Sequence, residues 1–266
     1  MLIQNKIIQS VTKKCTQDKS IAACMMYGSF IKGEGDQYSD VEFYIFIADD
    51  KVEKFSSRPW ISALSPVDLL FYNEYGTEVA IFSTLIRGEF HFLPLSEIGI
   101  IKSFKPTGVF PNTESMYIYD STGQLRPLLD ALSGAGPDRL TDENVNFAFN
   151  NFVNAWLMGV NVLERGESAR SLEVLTHVQK FLLQLLRVKE QTVERWLNST
   201  KNLEKDLSSE SYRDYVSITS TLNENELKIA YKNALTLAEK LNKILATYYK
   251  IEVNQHLISK LNRHFT

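Results

Sequence analysis

A change of pattern at Gly134-Ala-Gly-Pro137 constrains this chain more than any other feature. Before it, short apolar runs rich in β-branched and aromatic residues alternate with turn residues. After it, proline is absent, only Gly159 and Gly166 remain of the glycines, and apolar residues recur at helical spacing. A glycine and proline cluster between two such patterns is a linker signal. The sequence therefore predicts an α+β chain of two domains, a mixed-sheet domain over residues 1–135 and an all-helical domain over 136–266. The length of 266 residues suits this layout at roughly 100–200 residues per domain.

Composition narrows the class. With 44% hydrophobic residues the chain can bury a sizeable core, which excludes disordered and low-complexity architectures. The net charge of −3, with no run of Lys or Arg longer than two, argues against nucleic acid as the main partner. Cys15 and Cys24 are too few for a disulfide framework and lack metal-ligand spacing. The first twenty residues lack the apolar core of a signal peptide. No segment approaches the roughly 18 apolar residues of a membrane span. A cytoplasmic protein without a membrane partner is expected, and Asn198-Ser199-Thr200 is then a chance match to the glycosylation pattern.

In the first half, apolar spacing predicts an amphipathic helix over residues 2–16 and strands over 21–27, 41–47, 67–72, 77–82, 86–93 and 116–119. A hairpin turn is expected at Asn73–Gly76 and a short helix over 124–132. In the second half, Thr141 followed by Asp142 and Glu143 reads as a helix start, a hydroxyl cap with two acids at the positive end of the helix dipole. Three long helical patterns follow, over 144–163, 168–188 and 223–249.

The stretch from Tyr27 to Phe46 carries the chemistry. Gly28-Ser29 forms a turn after a buried strand, and eleven residues after Ser29 come Asp40-Val41-Glu42 at the head of the next strand. Residues i and i+2 of a strand share a face, so Asp40 and Glu42 point one way and Val41, Phe43 and Ile45 the other. Two neighbouring carboxylates repel, and a divalent cation resolves the conflict. Few hard oxygen ligands, completed by water and phosphate, describe Mg²⁺. The Gly28-Ser29 turn offers N–H groups and a hydroxyl for phosphate oxygens. A phosphate cradle facing a metal pair is the arrangement that nucleotidyl transfer needs.

These residues, GSF followed by SDVEF, resemble the nucleotidyltransferase signature of the DNA polymerase β superfamily. ACMMYGSF, KGEGDQYSD, NEYGTEV, LIRGEFHFL, WLMG and KNLEK are more specifically similar to the larger, two-domain lincosamide nucleotidyltransferases. The similar stretches run from residue 22 to 205 and thin out over the last 60 residues. The resemblance implies transfer of a nucleoside monophosphate from a nucleoside triphosphate, ATP by expectation, to a hydroxyl of a lincosamide such as lincomycin or clindamycin, with release of pyrophosphate. It implies two Mg²⁺ ions, Gly28 and Ser29 at the phosphates, Asp40 and Glu42 as metal ligands, and a third metal carboxylate on a later strand, assigned to Glu89 in LIRGEFHFL. Glu78 and Glu74 compete for that place. Glu89 is also the candidate general base, and His91 on the same strand face is a neighbouring structural or substrate-contact group.

Lys32, Arg170 and the weaker Arg87 are candidates to offset triphosphate charge, with a bridge from Arg170 to Glu167 or Glu173 as the structural alternative. Phe147, Phe149, Phe152, Trp156 and Met158 crowd one predicted helix and read chiefly as core. Fold analogy implies a homodimer. Two other functions stay open: an aminoglycoside nucleotidyltransferase, and a non-catalytic, antitoxin-like domain that binds a protein partner.

Overall fold

The computed structural model describes residues 2–265, which divide after Pro137 into two units. The N-terminal unit opens with helix α1 (Ile3–Gln17), followed by β1 (Ile21–Tyr27), β2 (Val41–Ile47), the single-turn helix α2 (Ser57–Ser62), β3 (Val67–Tyr72), β4 (Glu78–Phe82), β5 (Arg87–Pro94), β6 (Tyr117–Asp120) and α3 (Leu125–Leu132). The six strands form one sheet in the order β3-β4-β5-β2-β1-β6. Only β2 and β5 run parallel; the other neighbours are antiparallel. The expected strands and the hairpin are present. The sequence reading passed over α2 and the 3₁₀ turns of Leu95–Thr107, which carry too few apolar repeats to show a period.

Both faces of the sheet carry core. Val41, Phe43, Ile45 and Phe90 are buried on one, where α1 adds Ile7, Val11 and Cys15, and Phe46, alternating with them, is fully buried on the other beside its partner Ala23 of β1. The start of α1 has a second task. The Gln4 amide is buried and donates to the carbonyls of Asp36 (3.1 Å) and Ser39 (2.9 Å), fastening the loop that leads into β2.

The second unit is helical: α4 (Asp142–Glu164), α5 (Ser168–Glu190), α6 (Leu203–Asp206), α7 (Ser209–Val216), α8 (Glu224–Leu245) and α9 (Gln255–His264). Thr141 caps α4 by accepting from the Asn144 N–H at 3.2 Å, as its position implied. Gly159 of α4 lets α8 approach: a Cβ there would lie 2.0 Å from Tyr231 Oη. The Tyr231 hydroxyl donates to the Ser171 carbonyl on α5 (2.8 Å), and Trp156 Nε1 donates to the Tyr231 carbonyl (2.8 Å). Phe149, Phe152 and Trp156 are core, as expected, whereas Phe147 and Met158 are exposed. No described helix is long and apolar enough to cross a membrane.

At the C-terminal end of α5, Arg187 is fully buried. It donates to the carbonyls of Ser199 (2.7 Å), Thr192 (3.0 Å) and Lys201 (2.8 Å) and to Asp206 Oδ2 (3.0 Å). A planar fork of five donors satisfies several acceptors at once. Arg187→Met would leave those carbonyls without their donor in the interior. It is expected to destabilise the helical unit by about 3 kcal/mol or more, seen as an earlier transition in thermal or urea unfolding followed by circular dichroism.

Candidate active site

The site grows from the ends of β1, β2 and β5. Gly28 follows β1 with φ +86°, a left-handed conformation that glycine adopts without steric cost. It also permits a close approach: a Cβ at Gly28 would fall 1.5 Å from Glu42 Oε2. The Gly28-Ser29 turn and the β2 carboxylate are thus in contact. Ser29 initiates the turn Phe30–Lys32, with the N–H groups of Lys32 and Glu34 donating to its carbonyl at 3.1 and 3.0 Å. Its hydroxyl oxygen is buried and has no hydrogen-bond partner among the described residues. Such a group costs free energy unless a ligand or water satisfies it. Lys32 lies exposed in the same turn.

Parallel pairing brings the acids of two strands together. Glu42 lies opposite Glu89, and Tyr44 opposite His91. The Tyr44 and His91 rings stack with centroids 4.2 Å apart and planes within 3°. Of the competing acids, Glu78 is opposite Phe90, so it occupies the other face of the sheet and is buried there. Glu74 lies in the exposed Asn73–Gly76 turn. Register therefore favours Glu89 as the third carboxylate.

Arg87 is the residue whose part the sequence reading underestimated. Its Nη1 donates to Asp40 Oδ2 at 2.6 Å, while Nη2 donates to Glu89 Oε1. Arg87 and Glu89 share a face of β5 through i, i+2 spacing, which sequence alone could show. The link to Asp40 depends on the β2–β5 pairing and could not be read from spacing. Tyr27 was likewise missed. Its hydroxyl lies 2.9 Å from His91 Nε2 and 3.4 Å from Glu89 Oε2. Burial, then the negative charges of Glu42 and Glu89, push the phenol far above its ordinary value, so it stays protonated. Burial also holds the His91 imidazole below its ordinary value, against the pull of Glu89.

The donor set suits a hard divalent cation: carboxylate oxygens beside a phosphate-type turn. A positive group already stands among them, since the Arg87 guanidinium bridges Asp40 and Glu89. Among the described residues no three acidic, histidine or cysteine side chains, Asp40, Glu42 and Glu89 included, converge closely enough to hold a metal ion by themselves.

Arg170 belongs to the helical unit, near the start of α5, and pairs with Glu167 at 3.3 Å. It lines a hollow of about 450 Å³ between α4 and α5 with Asn154, Met158, Glu173, His177 and Phe181. Phe147 meets Phe181 edge-on at 6.1 Å between centroids.

Residues 141–264 match the family model described as lincosamide nucleotidyltransferase-like, C-terminal domain. No curated protein matches the chain. Two solved structures are similar over most of its length. An aminoglycoside 6-adenyltransferase from Bacillus subtilis is 14% identical with a TM-score of 0.44, covering 98% of this chain and 95% of that one. A nucleotidyltransferase-like protein from Exiguobacterium sibiricum 255-15 is 14% identical with a TM-score of 0.42, covering 90% and 74%.

Proposed function

We propose that the chain, whose residues 141–264 match the lincosamide nucleotidyltransferase-like C-terminal domain, transfers a nucleoside monophosphate from a nucleoside triphosphate, ATP by preference, to a hydroxyl of a lincosamide. The observation that carries this reading is the contact of the Gly28–Ser29 turn with Glu42, which is itself in register with Glu89. Asp40, Glu42 and Glu89 would hold Mg²⁺. When bound, the metal acidifies the attacking hydroxyl and neutralises charge on the departing pyrophosphate.

The chain's own groups divide the remaining work. The Ser29 hydroxyl, buried and without a protein partner, donates to a phosphate oxygen. Glu89 accepts the proton of the attacking hydroxyl as its oxygen bonds to the α-phosphorus. The bond from that phosphorus to the bridging oxygen breaks, and pyrophosphate leaves with the electron pair. Tyr27, kept as the neutral phenol, braces Glu89 and His91.

The acceptor class rests on the match of residues 141–264 to the lincosamide nucleotidyltransferase-like C-terminal domain. The test is mass spectrometry of lincomycin or clindamycin after incubation with the protein, Mg²⁺ and ATP. The expected product gains one adenylyl group, and chelation by EDTA stops its formation. Modification of kanamycin or streptomycin instead would move the substrate to the aminoglycosides. Tight Mg-ATP binding with no drug modified would replace the enzyme reading by a partner-binding one.

A further inference from the structure

Any cation held by Asp40 and Glu89 must deal with Arg87 first. Its guanidinium engages Asp40 Oδ2 at 2.6 Å and Glu89 Oε1, and a lone pair given to an N–H is withheld from a metal. We propose that Arg87 is an internal counter-ion, which steadies the site's carboxylates when no divalent cation is bound and which the metal displaces. The proposal rests on the reading of Asp40, Glu42 and Glu89 as a metal site.

Three features support exchange over a permanent structural bridge. The first is charge. Glu42 and Glu89 are direct neighbours on parallel strands, and like charges opposite one another destabilise a sheet. A site that must survive between turnovers needs a positive group of its own. The second is shape. The forked guanidinium reaches two carboxylates at once, which a lysine ammonium on the same strand would do with less geometric fit. The third is room. The Arg87 side chain is 42% exposed and borders a hollow of about 470 Å³ walled by Gln37, Tyr38, Ser39, Asp40, Thr84, Leu85 and Ile86. That hollow, which Asp40 also lines, gives the guanidinium space to move off Glu89. Arg87 is thus a positioning residue that acts through the metal ligands.

The test measures Mn²⁺ binding by electron paramagnetic resonance for the full chain and for Arg87→Met, Arg87→Lys and Asp40→Asn. Arg87→Met is expected to bind Mn²⁺ about tenfold more tightly, because the competitor is gone. Arg87→Lys should bind several-fold more tightly, since it keeps the charge but not the fork. Thermal unfolding supplies a second readout. Without metal, Arg87→Met should melt below the parent protein, and saturating Mg²⁺ should close the gap. Mn²⁺ binding by Arg87→Met no tighter than that of the parent overturns the proposal. So does tightening in Arg87→Met with none in Arg87→Lys, which reduces the effect to a general field. Undiminished Mn²⁺ binding by Asp40→Asn would overturn the metal-site reading itself and the proposal with it; loss in Asp40→Asn with no change in either Arg87 variant would overturn the proposal alone.

Discussion

Asp40→Asn is expected to cut kcat/KM for nucleotidyl transfer by about a thousandfold or more, with the fold intact. The substitution keeps the shape of the side chain and an oxygen for Arg87 but removes the charge that a metal needs. Its structural cost is small. The Asp40–Arg87 pair is partly exposed on both sides, and such pairs contribute about 0–1 kcal/mol. That corresponds to a few degrees in melting temperature for a chain of this size. Steady-state kinetics beside a thermal melt decide the matter: near-normal turnover in a well-folded variant would remove Asp40 from the metal set.

Gly28→Ala is expected to be nearly as damaging, by a different route. The new methyl would have to stand where Glu42 Oε2 now lies, at 1.5 Å, with the carboxyl carbon at 2.7 Å. Either the turn opens or Glu42 swings away, and each separates the Gly28–Ser29 turn from the carboxylate that the proposed function sets beside it. The left-handed φ of +86° adds about 1–2 kcal/mol of strain. Together these should lower kcat by about a hundredfold or more, by analogy with the cost of losing one aligned group, and lower the melting temperature by several degrees. Gly33→Ala is the internal control. Its φ is +70°, but nothing lies within 4 Å of the added Cβ, so it carries strain without collision. Equal loss of activity in both variants would trace the effect to backbone strain and not to the contact with Glu42.

The parts of this molecule that could be read from sequence are those written in local periodicity. The run VEFYIFI announced β2, in which Glu42 alternates with Val41 and Phe43, while Asp40 lies just before the strand's first residue. Thr141 announced the start of α4 because a cap is a local hydrogen bond. The hidden parts depend on pairing between distant segments. Nothing in the neighbourhood of Gln4 says that its amide will fasten the loop at Asp36 and Ser39. Glu89 and its rival Glu78 sit on β5 and β4, and only the register separates them, since Glu78 meets Phe90 and Glu89 meets Val79. Arg87 was visible as a cation near an acid, but its hold on Asp40 crosses 47 positions of sequence. The four-residue helix α6 is too short to establish a period.

The parallel pairing of β2 and β5 also governs the order in which the chain can fold. In the helical unit, α4 and α5 are joined by a three-residue turn, Arg165–Glu167, and can find one another early because little chain entropy is lost in closing so short a loop. Glu42 and Glu89 meet only after the whole segment between them, including the β3–β4 hairpin, has closed. Long-range parallel pairing is slow to form. The carboxylate end of the sheet is therefore among the last parts of the first unit to be completed, and pulsed hydrogen exchange during refolding should find the β2 and β5 amides protected after those of α4 and α5.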